Sequence, residues 1–178
     1  MNKSVRKYLL LLGLLFDTQQ LVFAQSLDEQ MVFSALALNI VRFTTWSTEA
    51  EAHMKESIGL CVLGNDVVQE AFASIEQKAV GDKTIKVINL SPLSNFEACH
   101  ALYVSELEQT VLRQVLAKIK KRPLLTIGQS ADFVQQGGMV GLENVDGKIT
   151  LYVNLYVVRE SNLNISARLL KLAKIYGE

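Results

Sequence analysis

The sequence predicts an α/β domain: a three-layer sandwich with a central mixed sheet flanked by helices, closing in a C-terminal hairpin and helix. Three observations carry this. Short apolar runs alternate with segments of helical spacing from Ser57 to Lys121, the rhythm of βαβ units. Turn signals punctuate the runs at Gly64-Asn65-Asp66, Gly81-Asp82 and Asp146-Gly147. No internal repeat or low-complexity linker interrupts the 178 residues, a length suited to one domain. With 49% hydrophobic and 20% charged residues, a packed core is expected rather than a disordered polymer.

At the N-terminus, Lys3, Arg6 and Lys7 precede the apolar run Tyr8 to Phe16, and Val22-Phe23-Ala24 supplies a small-residue cleavage pattern. The arrangement predicts a signal peptide over residues 1–24 and a single domain over residues 25–178. The apolar run falls well short of the roughly 20 residues of a membrane-spanning helix. Export with cleavage near Ala24 is the expectation, and nothing in the rest of the chain would then insert into a bilayer. Residues 25–178 carry 15 basic and 17 acidic side chains. Such a balance supplies none of the basic surface that a nucleic-acid partner requires.

The spacing predicts a helix over residues 28–43 with Asp28 as its N-cap. Apolar residues from Met31 to Phe43 surround its axis, so more than one side is buried. Burial within the monomer and burial against a second molecule both satisfy that pattern. Ser57 to Leu63 reads as a strand, Val67 to Lys78 as a helix, Lys83 to Asn89 as a strand with one wet face, and His100 to Val104 as a further strand. Ser105 and Glu108 form a capping box for a helix running to Lys121. The basic cluster Lys118, Lys120, Lys121 and Arg122 would complement the negative end of its dipole. A strand over Leu124 to Gly128 and a short helix over Asp132 to Gln136 follow. Met139 to Glu143 and Lys148 to Val157 form the hairpin, and a helix from Asn162 to Tyr176 closes the chain.

Cys61 and Cys99 are the only cysteines. In an exported chain an even count reads as a disulfide, whose loop of 38 residues would contribute about 4 kcal/mol in the chain-entropy argument, an upper figure. A zinc site drawn from Cys61, Cys99, His100 and His53 is the weaker reading, because no close pair has finger-like spacing. No nucleophile elbow, Ser-x-x-Lys or phosphate loop is present, and Gly137-Gly138 enters a hairpin. A binding or regulatory module without cofactor or metal is therefore expected over an enzyme.

Five phrases, in order, then resemble one family of bacterial periplasmic proteins. They are Asn39-Ile40-Val41-Arg42-Phe43-Thr44-Thr45-Trp46, Ile58-Gly59-Leu60-Cys61-Val62-Leu63-Gly64, Cys99 before a strand, Leu124-Leu125-Thr126-Ile127-Gly128 with Phe133 and Gly137-Gly138, and Asn154 with Ile165 to Ala173. Together they resemble the YfiR family from about residue 28 to the C-terminus. Ser47 stands where the family usually has proline, and the second cysteine pair of some members is missing. The resemblance implies a repressor that binds the periplasmic sensor region of an inner-membrane diguanylate cyclase, lowering cyclic di-GMP and biofilm formation. It also implies a homodimer and sequestration by an outer-membrane lipoprotein. Phe33, Phe43 and Trp46 are the candidate partner or dimer anchors, since a few buried aromatics dominate most interfaces. The other reading is a ligand-binding accessory of a membrane histidine kinase or transporter, with Tyr103, Tyr152 or Tyr156 lining its pocket.

Overall fold

A computed structural model describes residues 27–92 and 94–177; the expected signal peptide lies outside the described residues. Among the described residues eight strands assemble into one mixed sheet, and two more pair separately. In chain order the elements are α1 (27–42), β1 (Thr44–Trp46), α2 (Thr48–Ala52), β2 (Ser57–Leu63), α3 (Asp66–Ala73), β3 (Ala79–Val80), β4 (Lys83–Asn89), β5 (Ala101–Val104) and α4 (Gln109–Ile119). Then come β6 (Leu125–Gly128), α5 (Ala131–Gln135), β7 (Val140–Val145), β8 (Lys148–Asn154), α6 (Leu155–Glu160), β9 (Leu163–Ile165), α7 (Ala167–Leu170) and β10 (Ala173–Tyr176).

The sheet runs β10-β8-β7-β6-β5-β2-β4-β3, with β4, β2, β5, β6 and β7 mutually parallel and β7–β8 the predicted antiparallel hairpin. Period-two alternation divides its side chains between two cores. Ile58, Leu60 and Val62 of β2 and Ala101 and Tyr103 of β5 pack with Phe33, Ala37, Leu38, Ile40 and Val41 of α1 and Phe72 of α3. Cys61 and Leu63, with Leu102 and Val104, face the other way onto Leu112, Val115 and Leu116 of α4 and Phe133 of α5. Helices on both faces of one sheet make the three layers.

Several expected boundaries move, each for a local reason. Asp28 lies inside α1, so it is not the N-cap. Asn65 caps α3, accepting from the Val68 amide at 3.1 Å, but the helix stops at Ala73 because Gln77, at φ 61°, turns its amide onto the Ile85 carbonyl. Glu108 caps α4 by itself, accepting from the amides of Thr110 and Val111, while Ser105 donates to Gln129 Oε1 at 3.0 Å. The hairpin arm ends at Asn154, whose side chain accepts from the Val157 amide at 3.1 Å and starts α6.

The largest departure is the expected helix over Asn162 to Tyr176. Only Ala167–Leu170 is helical there, with Ser166 as N-cap. Leu163 and Ile165 alternate with exposed Asn164 and pair antiparallel with β1, placing Leu163 opposite Trp46 and Ile165 opposite Thr44. Ala173 and Ile175, half-buried, alternate with exposed Lys174 and Tyr176 in an edge strand parallel to β8. The basic cluster also does more than complement a dipole. Lys118 Nζ donates to the Ser94 carbonyl at 2.9 Å, Arg122 Nη2 donates to the Phe96 carbonyl at 3.2 Å, and Lys121 pairs with Glu160 at 3.1 Å.

Candidate functional site

Helix α1 is apolar on both sides, and the two sides have different surroundings. Phe33, Ala37, Leu38, Ile40 and Val41 enter the core. Met31, Val32, Ala35 and Asn39 lie on the opposite stripe, with Phe43 just beyond the last turn. Val32 is 49% exposed, Met31 41% and Phe43 37%, which leaves three large apolar side chains open along one face. The guanidinium of Arg42 donates to the Ala79 carbonyl from Nε at 3.1 Å and Nη2 at 2.9 Å, anchoring the end of α1 to β3. Thr44 Oγ1 donates to the Ile40 carbonyl at 2.8 Å and fixes the turn into β1.

The structure therefore separates the three candidate anchors. Phe33 and Trp46 sit in the core of the monomer, whereas Phe43 is at the surface. The Trp46 indole Nε1 finds no acceptor among the described residues. Met31 and Val32 are the surface residues that sequence reasoning missed. Their only signal was an apolar pattern that continued all round the helix.

Cys61 and Cys99 are joined in a disulfide that ties β2 to the segment entering β5. Both sulfurs are buried against the α4 layer. Beside the bridge, His100 Nδ1 accepts from the Gly59 amide at 2.8 Å. Gly59 is required there because a Cβ would come within 2.0 Å of the Ala98 carbonyl oxygen. Burial, reinforced by the nearby charge of His53, holds the His100 pKa below its ordinary 6.5. The folded state thus favours neutral imidazole, and protons bind the unfolded chain first. Stability contributed by His100 should be fully present above pH 6.5 and should decline as pH falls from there toward the lowered folded value. Urea melts from pH 8 to pH 5 should show this loss in the native chain and a smaller loss in His100→Asn.

Among the described residues no cluster of three or more His, Cys, Asp or Glu side chains is arranged to hold a metal. The three tyrosines proposed as a pocket lining are not brought together. Tyr103 is fully buried with its ring 4.2 Å from that of Phe72; burial pushes its phenol pKa up, and its hydroxyl has no hydrogen-bond partner among the described residues. The Tyr152 hydroxyl donates to Glu143 Oε2 at 3.0 Å under the Lys174 ammonium. Tyr156 alone reaches a cavity, one of about 570 Å³ between α4 and α6.

A second cleft, of about 470 Å³, opens beyond the C-terminal ends of β5 and β6. In parallel sheets such ends commonly offer binding space. There the Gln129 amide links two elements, accepting from Ser105 Oγ at 3.0 Å and donating to Gln30 Oε1 of α1 at 2.7 Å. Asn144 Nδ2 adds a 2.7 Å bond to Glu29 Oε1. The cleft is thus partly closed by α1, whose first turns are pinned to the sheet by polar contacts. No described helix is long and apolar enough to cross a membrane.

A family model described as YfiR/HmsC-like (DUF4154) matches residues 30–174. Among curated proteins no significant match is found. A solved structure, the crystal structure of a conserved domain protein from Vibrio cholerae O1 biovar El Tor strain N16961, is similar in fold, with a TM-score of 0.50 at 11% identity. The alignment covers 72% of this chain and 58% of that one, so the likeness spans little more than half of the Vibrio protein.

Proposed function

Because the chain belongs to the YfiR/HmsC-like family, we propose that it represses an inner-membrane diguanylate cyclase by binding that enzyme's periplasmic sensor region. Members of the family are periplasmic regulators of cyclic di-GMP signalling. The family match over nearly the whole described chain is the observation that carries the reading. On this reading residues 1–24 direct export, binding lowers cyclic di-GMP and biofilm formation, and no catalytic step or cofactor is needed. A homodimer and an outer-membrane lipoprotein that sequesters it complete the proposed circuit.

The open face of α1 is the proposed contact. Its exposed Met31, Val32 and Phe43 offer apolar area on a rigid helix, and interfaces draw most of their energy from a few such anchors. Phe33 and Trp46 would act from beneath, holding the helix in place. The cavity between α4 and α6 favours a second reading, a ligand-binding accessory of a histidine kinase or transporter.

Deleting the gene should raise cellular cyclic di-GMP, and restoring the native chain should reverse the rise. The double variant Val32→Asp/Phe43→Asp, with side chains at the surface, should melt as the native protein does and fail to restore repression. An unchanged cyclic di-GMP level on deletion would remove the repressor reading and leave the ligand-binding accessory. Full repression by the double variant would instead move the contact away from α1.

A further inference from the structure

The cavity of about 570 Å³ lined by residues of α4 and α6 lies within the range of small-molecule sites. Its lining is divided by chemistry. Leu116, Leu124, Met139 and Val157 provide apolar wall from four separate elements or loops. Arg113, Lys120 and Lys121 provide three cations, opposed by one carboxylate, Glu160. That carboxylate is already engaged with Lys121 at 3.1 Å, whereas Arg113 and Lys120 make no ion pair among the described residues. Gln136 lines both this cavity and the second cleft, and its Oε1 is buried without a hydrogen-bond partner among the described residues. An unsatisfied buried acceptor is costly, and a ligand donor would relieve it.

We propose that the cavity binds a small amphipathic organic anion, with a carboxylate between Arg113 and Lys120, an apolar body against Leu124, Met139 and Val157, and a hydroxyl donating to Gln136 Oε1. An apolar molecule alone would leave the two cations and the amide unused. A strongly hydrophilic anion would leave the apolar wall wet. A cationic amphiphile would meet three like charges. The mixed lining therefore selects head-group sign and body together. The inference stands on the cavity and does not depend on the repressor reading.

The test is calorimetric binding to the full chain with its disulfide intact, using 3-hydroxydecanoate as probe and decyltrimethylammonium as the charge-reversed comparison. The probe should bind, with the comparison weaker by about tenfold or more. Arg113→Gln/Lys120→Gln should weaken probe binding about tenfold at an unchanged melting temperature. Val157→Trp, which fills the space, should abolish binding; should that variant not fold, the charge variant still decides. Equal binding of the ammonium comparison, undiminished binding by the charge variant, or no binding of the probe would each overturn the site.

Discussion

Trp46→Ala is expected to destabilise the chain by about 3–5 kcal/mol, the usual cost of emptying a large buried aromatic site. The residue is 7% exposed, and its strand is held between the end of α1 and Leu163 of β9. For a chain of this size the loss corresponds to a fall of about 6–20 °C in melting temperature. Trp46→Phe should cost far less, because it keeps most of the apolar area and removes an indole N–H that has no acceptor among the described residues. Calorimetric melts of the three proteins make the comparison. An unchanged melting temperature together with lost partner binding would show instead that Trp46 works at an interface.

Removing the disulfide by Cys61→Ala/Cys99→Ala is expected to cost about 2–4 kcal/mol. Alanine is the appropriate replacement because both positions are buried, and a serine hydroxyl would lack a partner there. The bridged loop of 38 residues contains α3, β3 and β4, so its closure restrains one whole edge of the sheet in the unfolded chain. Urea titrations should place the double variant and the reduced native chain at the same lowered midpoint. A midpoint insensitive to reductant would mean that the sheet, rather than the bridge, already holds this edge.

The middle of the chain was legible because each segment there carries one period. β2, β5 and β6 are short apolar runs bounded by turn residues, β4 alternates apolar with polar residues, and α3 and α4 repeat their apolar residues every three or four positions. The hairpin was legible from Asp146-Gly147, whose Gly147 adopts φ 77°. After Asn154 two periods overlap. Leu163, Ala167, Leu170 and Lys174 fall at helical spacing, while Leu163 with Ile165 and Ala173 with Ile175 fit alternating strands, and the choice is made by partners outside the segment, β1 and β8. Local periodicity holds no record of them.

The candidate site divides in the same way. Cys61 and Cys99 could be paired from their number and expected compartment, and the structure joins them. Phe33, Phe43 and Trp46 could be selected as aromatics, but their different burial follows from how α1 lies on the sheet. The cavity was harder still, since Arg113 and Val157 come from helices separated in sequence by β6, α5, β7 and β8. Tyr156 was the one cavity residue among the three expected tyrosines.

The pairing of β1 with β9 also constrains the order of assembly. These strands lie about 120 residues apart, and contacts at such separation form slowly because a long loop must close before they stabilise anything. A chain emerging N-terminus first presents α1 before the sheet and its clasp only after β8 and α6. Until Leu163 arrives opposite Trp46, the apolar inner face of α1 has no strand to lock its exit, and the helix is at its most exposed to wrong partners. The arrival of β9 thus sets when α1 becomes safe from aggregation.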